Sequence, residues 1–531
     1  MLGSYVQVFN GILGYLVLFA VARSWGGFAP TALGIVSFGT AFVGMFSIIS
    51  DLGFTNAHIK RVSEGQDIGK CIGTFAAIKM VLTGAMAVVV IVVLLVMRHT
   101  KYAFHDASKE SVVYVFVLYY ILLSISQIAT STFNAQQRMA KTNLSQAAEV
   151  MARLPVTLAV VSAGVVVGVT GMGAVAPLFK WPGWLEGFRA FVASHAVGAL
   201  AMTYIAGVFA TLITAFSMFR GYKFSKPDMA VAKSYFKFAI PTILISAIAV
   251  ISVNIGRVML GMFWPAAEIG YFSGAQRISY FIIAISSSVN ILLFPLYSAY
   301  HSRNEIGAIR AIAFNSVRYV SMLVMPAIAF LIVCNRQIMF VALSGDFLPG
   351  ANALSAFAVF VLISVVSVPF TTMIYGMNRP DISAKISLVM CGANIALNAL
   401  IIPRNGILSW AGIYGAYGAA FSSATSMFIG ALLGFSASRK LAGASFPWRS
   451  FLSHVTAGTV SGASILIITQ FVPITRWFSL LGFAALCVVI YAGALLAMGE
   501  LKKKDLEFFM DAMHPGKMAE YVRWEIKERE K

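Results

Sequence analysis

Apolar runs of about twenty residues recur from one end of this 531-residue chain to the other, and no polar linker interrupts the series. In hydrocarbon every backbone N–H and C=O must find its partner within the protein, so such runs fold as helices or as a closed barrel. The runs are continuous rather than alternating, which excludes the barrel. Composition agrees: 59% of residues are hydrophobic and 11% charged, where soluble domains carry roughly a quarter. The chain reads as an all-α polytopic membrane protein. Fourteen spans are expected, at about 2–22, 31–51, 72–97, 111–131, 145–168, 189–216, 238–263, 270–298, 311–334, 350–376, 383–402, 412–437, 452–472 and 477–498. The first lacks the basic start and small-residue cleavage site of a signal peptide.

The net charge of +19 lies wholly in the membrane body. From Glu500 onward eight acidic and eight basic residues cancel, leaving 31 Lys+Arg against 12 Asp+Glu before it. Even-numbered loops hold roughly twice the lysine and arginine of the odd-numbered ones, led by Arg220, Lys223, Lys226, Lys233 and Lys237. The positive-inside rule therefore puts both termini in the cytoplasm of a cell-membrane protein, although Arg23 alone favours the reverse. No basic run interleaved with aromatics suggests nucleic acid. Four scattered cysteines and seven histidines form no metal or disulfide pattern. Gly65-Gln66-Asp67-Ile68-Gly69-Lys70 falls one residue short of a phosphate loop and lacks its Ser/Thr. No cofactor is expected; coupling to Na⁺ or H⁺ is left open.

Five cations remain inside spans: Lys79, Arg153, Arg257, Arg277 and Arg318. Charge at that depth is expensive and marks either function or snorkelling to the headgroups. From the helical rise, three lie in the cytoplasmic half and two in the external half, a ladder suited to carrying an anion such as phosphate. Arg153 has Glu149 one turn earlier, as an ion-pair partner or a titratable coupling group, with Asp51 at a rim as a second candidate. Asn254, Ser273, Tyr280, Asn394 and Asn398 add polarity at helical spacing, for a wet cavity or for helix–helix hydrogen bonds.

The chain also repeats itself. Pro30-Thr-Ala-Leu-Gly34 and Pro265-Ala-Ala-Glu-Ile-Gly270 each open a span after a turn, about 236 residues apart. Six helices per copy preserve orientation, giving an N-lobe (1–225), a C-lobe (226–440), two further helices (441–498) and a charged tail (499–531). Parallel repeats put the pathway between lobes.

The first hairpin, from Ala22-Arg23 through Gly34 to Asp51-Leu52-Gly53-Phe54, with Lys60-Arg61 and Glu64-Gly65 after it, resembles the N-terminal signature of polysaccharide transporter (PST) proteins. These are the O-antigen and lipid-linked oligosaccharide flippases of the MOP exporter superfamily. Phe238-Ala-Ile-Pro241, Arg257-Val-Met-Leu-Gly261 and Glu268-Ile-Gly270-Tyr271 are similar to that family's second hairpin. The resemblance implies two six-helix bundles related by a pseudo-twofold axis, a cationic cavity alternating between faces, and a polyprenyl-linked glycan held by its phosphate. It implies a groove for the lipid tail beside helices thirteen and fourteen. Gly256 stands where many relatives have an acidic residue before the arginine. A monomeric transporter rather than an enzyme is expected, with no DxD motif and no long catalytic loop. The alternatives are a lipid II flippase or a multidrug/cation antiporter of the same fold, the latter disfavoured by the scarcity of intramembrane carboxylates.

Overall fold

The computed structural model describes residues 2–99, 107–166 and 186–501. Among them are fourteen long helices: α1 (Leu2–Ser24), α2 (Ala29–Asp51), α4 (Ile68–Arg98), α5 (Ala107–Ala135), α6 (Met139–Val166), α8 (Ala196–Met218), α9 (Met229–Phe263), α10 (Ala266–Ser302), α11 (Ile306–Val333), α13 (Ala351–Gly376), α14 (Pro380–Ile401), α15 (Gly415–Ala442), α16 (Trp448–Phe471) and α17 (Trp477–Ala497). Three short helices, α3 (Phe54–Ser63), α7 (Glu186–Ser194) and α12 (Asn335–Ala342), lie between them, and no strand occurs among the described residues. Twelve of the helices are long and apolar enough to cross a membrane. The tail beyond Leu501 and the Trp181–Trp184 loop lie outside the described residues.

Helix α9 begins nine residues before the expected span. Asp228 caps it, its carboxylate accepting from the Ala230 backbone N–H at 2.8 Å, so the helix starts in the polar segment ahead of the apolar run. Short α3 was not expected either. Leu52 (φ 43°) and Gly53 (φ 82°) turn the chain, and α3 then buries Phe54, Ala57, His58 and Val62 while Lys60 stays outside.

Helices α1 to α8 pack largely on one another, here the N-lobe, and α10 to α15 do likewise, here the C-lobe; α9 leads into the C-lobe while packing on α2 as well as on α14, and α16 and α17 pack on α11. The lobes meet where α2 crosses α10, and the two halves of the sequence repeat are what touch. A Cβ on Gly34 would lie 1.8 Å from the Ala266 carbonyl oxygen, and one on Gly270 would lie 2.0 Å from that of Pro30. Residues 30 and 34 thus exchange contacts with 266 and 270, the reciprocity a pseudo-twofold axis requires. Only glycine allows backbones to approach this closely. Around this crossing one apolar cluster joins both lobes, including Trp25, Phe38, Phe272, Phe347 and Phe357.

The face bearing the α1–α2 and α9–α10 turns is therefore closed. Arg23 and Tyr15 of α1 reinforce it: Arg23 donates to the Phe340 carbonyl (3.1 Å) and to that of Val341, and Tyr15 donates to that of Ala342 (2.9 Å). These are the last carbonyls of α12, which a helix leaves unsatisfied. Arg23 thus has a structural role at this face whatever its charge contributes to topology.

On the opposite face the first turns of α9 lean onto the N-lobe. Ser225 N–H donates to the Gly69 carbonyl (3.2 Å), Asp228 N–H to Thr74 Oγ1 (2.9 Å), and Lys70 pairs with Asp228 at 3.3 Å. Tyr235 and Ala239 share an apolar cluster with Phe54, Phe75 and Phe133. Buried His58 contacts both Tyr235 Oη and Thr132 Oγ1 at 2.9 Å and stacks on Phe75 with ring centroids 4.4 Å apart. The helix opening the second repeat is thereby anchored to the first lobe.

Candidate functional site

Arginines from both lobes converge on a group of tyrosines between them. Gly207 of α8 lets α6 approach closely: a Cβ there would meet the Glu149 carbonyl oxygen at 3.0 Å and Arg153 Cβ at 3.4 Å. One turn from Gly207, Tyr204 receives the Arg153 guanidinium on its ring face, 3.3 Å from the centroid. The Tyr204 hydroxyl lies beside Arg153 of one lobe and Arg277 of the other. Arg277 also donates to the Gly14 carbonyl of α1 at 3.2 Å. Arg257 donates to Gln276 Oε1 (3.3 Å), and Gln276 Nε2 to Tyr280 Oη (3.2 Å). Phe116 and Tyr119 pack edge-on against Tyr204 and each other, and Tyr120 packs edge-on against Tyr119.

Three like charges therefore share one electrostatic neighbourhood, and Arg257 feels Arg277 directly. The nearby carboxylate, Glu149, accepts from Tyr119 Oη at 3.2 Å while remaining within electrostatic reach of Arg153. The buried Nε groups of Arg153 and Arg257 have no hydrogen-bond partner among the described residues. Buried unsatisfied donors on cations are costly and call for a ligand or water. An anion with several oxygens would satisfy them through planar paired hydrogen bonds.

The other two expected rungs stand apart. Lys79 is 1% exposed and pairs at 3.1 Å with Asp51, which also accepts from Thr55. Arg318 donates to the Glu500 carboxylate (2.8 Å) and carbonyl (2.9 Å), with His454 nearby, joining α11 to the end of α17. Among the polar residues, Tyr280 belongs to the arginine centre, and Asn254 stands beside Gly44 and donates to the Val250 carbonyl at 2.9 Å. Asn394 and Asn398 instead link to each other (3.0 Å), and Asn394 to Ser426 of α15 (3.2 Å). They serve a helix–helix seam. Ser273 is buried, with no partner for its hydroxyl among the described residues. Glu268 accepts from the Ala416 N–H at 2.8 Å and so caps α15.

Sequence reasoning missed Tyr204, Tyr119, Tyr120 and Gln276. Tyr204 carried a signal, being the one phenol in an apolar span whose other aromatics are Phe209 and Phe216. No group of three metal-ligating side chains occurs among the described residues. A polar cleft of about 400 Å³ runs from Tyr120 toward the α3 face of the N-lobe.

Residues 2–181 match the model of a family described as polysaccharide biosynthesis proteins, and residues 187–351 match a second model of that description. Over 466 residues, 87% of the chain and 88% of the relative, it is 22% identical to the probable low-salt glycan biosynthesis flippase Agl15 of Haloferax volcanii. Together these matches support a flippase of the polysaccharide transporter type. The fold is that of MOP exporters. The lipid II flippase MurJ in an inward closed conformation superposes with a TM-score of 0.70 at 12% identity, covering 92% of this chain and 98% of its own. An inward-facing multidrug resistance MATE transporter of the MOP superfamily gives 0.55 at 13% identity, covering 83% and 94%.

Proposed function

We infer that this protein is a lipid-linked oligosaccharide flippase. It moves a polyprenyl-(pyro)phosphate-linked glycan from the cytoplasmic to the external leaflet of the cell membrane by alternating access. The observation that carries this reading is the arginine centre. Arg153 and Arg277 reach Tyr204 from opposite lobes, so an anion bound between them is contacted by both halves and changes partners as the lobes rock. A cation antiporter would need the reverse electrostatics. Both termini are cytoplasmic in this reading, so the closed face is the external one. A monomer suffices, because the pathway lies between lobes of a single chain. Glu149, beside Arg153, is the coupling carboxylate for H⁺ or Na⁺, whereas Asp51 is engaged by Lys79.

The test uses proteoliposomes containing a fluorescent polyprenyl-pyrophosphate-linked chitobiose and a membrane-impermeant quencher. Arg277→Gln and Arg153→Gln should each slow flipping at least about tenfold, since a charged hydrogen bond contributes about 1.5–3 kcal/mol. Arg277→Lys should be intermediate. Wild-type rates in both glutamine variants would refute the reading.

A further inference from the structure

The polar cleft next to the arginine centre has no role in holding a phosphate. Amide and hydroxyl side chains line much of it, alongside Ile48, Leu52, Leu123 and Val250, and its charged group, Asp51, is already paired with Lys79. One wall is a stripe along α5, from Tyr120 through Ser124, Gln127 and Ser131 to Asn134. At the α-helical rise this stripe is about 21 Å long. Tyr120 ties the cleft to the cationic centre, because it lines the cleft and lies within reach of the Arg257 charge.

What separates this cleft from a merely polar seam is what its side chains leave unused. Several hydroxyls bond back to their own helices, as Ser47, Ser50 and Thr130 do, and Thr142 donates to Asn134 Oδ1 at 2.8 Å. Asn56 of α3, Gln127 of α5 and Gln146 of α6 make no side-chain hydrogen bond among the described residues, yet all three line the cleft. Each amide offers two donors and an acceptor with two lone pairs. Asn56 and Gln146 are exposed and Gln127 is half-buried, so their amides are open to the cleft and to whatever water or ligand fills it. Sugar hydroxyls both donate and accept, which suits amides from three directions. A second phosphate would find no free cation here.

We propose that this cleft is the glycan subsite, holding uncharged, hydroxyl-rich sugar units on Asn56, Gln127 and Gln146 while the arginine centre holds the pyrophosphate. The proposal rests on the flippase reading and names the part of the substrate that the arginines leave unrecognised. It places sugar selectivity on amides of α3, α5 and α6, in a cleft that Ser246 and Val250 of α9 also line, and pyrophosphate affinity at the arginine centre.

The test compares binding of water-soluble citronellyl pyrophosphate with that of the same compound bearing chitobiose or glucose, using purified full-length protein in nanodiscs. At least one sugar-bearing probe should bind wild type more tightly than the sugar-free one. Gln127→Leu and Gln146→Leu should each weaken that probe by about 3- to 10-fold, one net hydrogen bond apiece. The sugar-free affinity should stay within twofold, which also shows that each variant is folded. Arg277→Gln should weaken all probes alike. If the sugars add no affinity, or the cleft variants weaken sugar-free and sugar-bearing probes equally, the glycan subsite is overturned while the flippase reading stands. If wild type binds no pyrophosphate, or Arg277→Gln changes nothing, the flippase reading falls and the subsite with it.

Discussion

Replacing Gly34 with alanine tests the crossing on which both lobes hinge. The added Cβ would sit 1.8 Å from the Ala266 carbonyl oxygen, where real contacts of this kind stay beyond 3.0 Å. Helices α2 and α10 must therefore separate by about 1.2 Å, and backbone oxygen cannot rotate away as a side chain could. The equivalent change, Gly270→Ala, meets the Pro30 carbonyl at 2.0 Å and demands nearly as much. Overpacking of this size costs about 1–3 kcal/mol. It falls on the state in which α2 and α10 touch, so the closed-to-open ratio of this face should drop by about 5- to 150-fold. Spin labels at Ser194→Cys and Trp410→Cys would read the change as a longer-distance population by electron–electron resonance, because the four native cysteines are buried. Gly392→Ala is the control: nothing lies within 4 Å of the place its Cβ would take, so it should be neutral or stabilising by about 0.5–1 kcal/mol. Distance distributions and melting temperature unchanged from wild type in both Gly34→Ala and Gly270→Ala would refute the close crossing.

Three further outcomes are expected. Lys79→Met leaves Asp51 without its partner and should destabilise the protein by about 3 kcal/mol, the lower end for a broken buried pair because Asp51 is 30% exposed; adding Asp51→Asn should recover most of that loss in thermal melts. Burial pushes the His58 imidazole down to about 4, so it folds neutral. Above pH 6.5 its contribution is complete; as pH falls through 6.5 toward 4 the unfolded chain binds the proton first, and up to about 3 kcal/mol is lost. Hydrogen exchange of α3 should rise over that window, and His58→Gln should flatten the dependence. Glu500→Gln removes the charge facing Arg318 and should speed exchange in α16 and α17 several-fold without altering pyrophosphate affinity.

Much of this fold is legible in the sequence for one reason: lipid forces every apolar run of sufficient length into a helix, so composition and run length alone lead to fourteen spans. The repeat around Gly34 and Gly270 was equally visible, as a pair of glycines 236 residues apart. That the two glycines face each other was not, because a sequence shows recurrence but not contact. The cations divide in the same way. Depth along a helix is readable at 1.5 Å per residue and grouped five of them as one ladder. The direction a side chain faces, and what faces it, belong to the tertiary structure. Packing through Gly207 brings Arg153 onto Tyr204 and toward Arg277, while partners 28 and 182 residues away occupy Lys79 and Arg318. By itself, then, the sequence determined the membrane architecture, its twofold repetition and the presence of buried positive charge. Only the tertiary structure decided which charges lack a counter-ion, since neutralisation depends on distance in space and not along the chain.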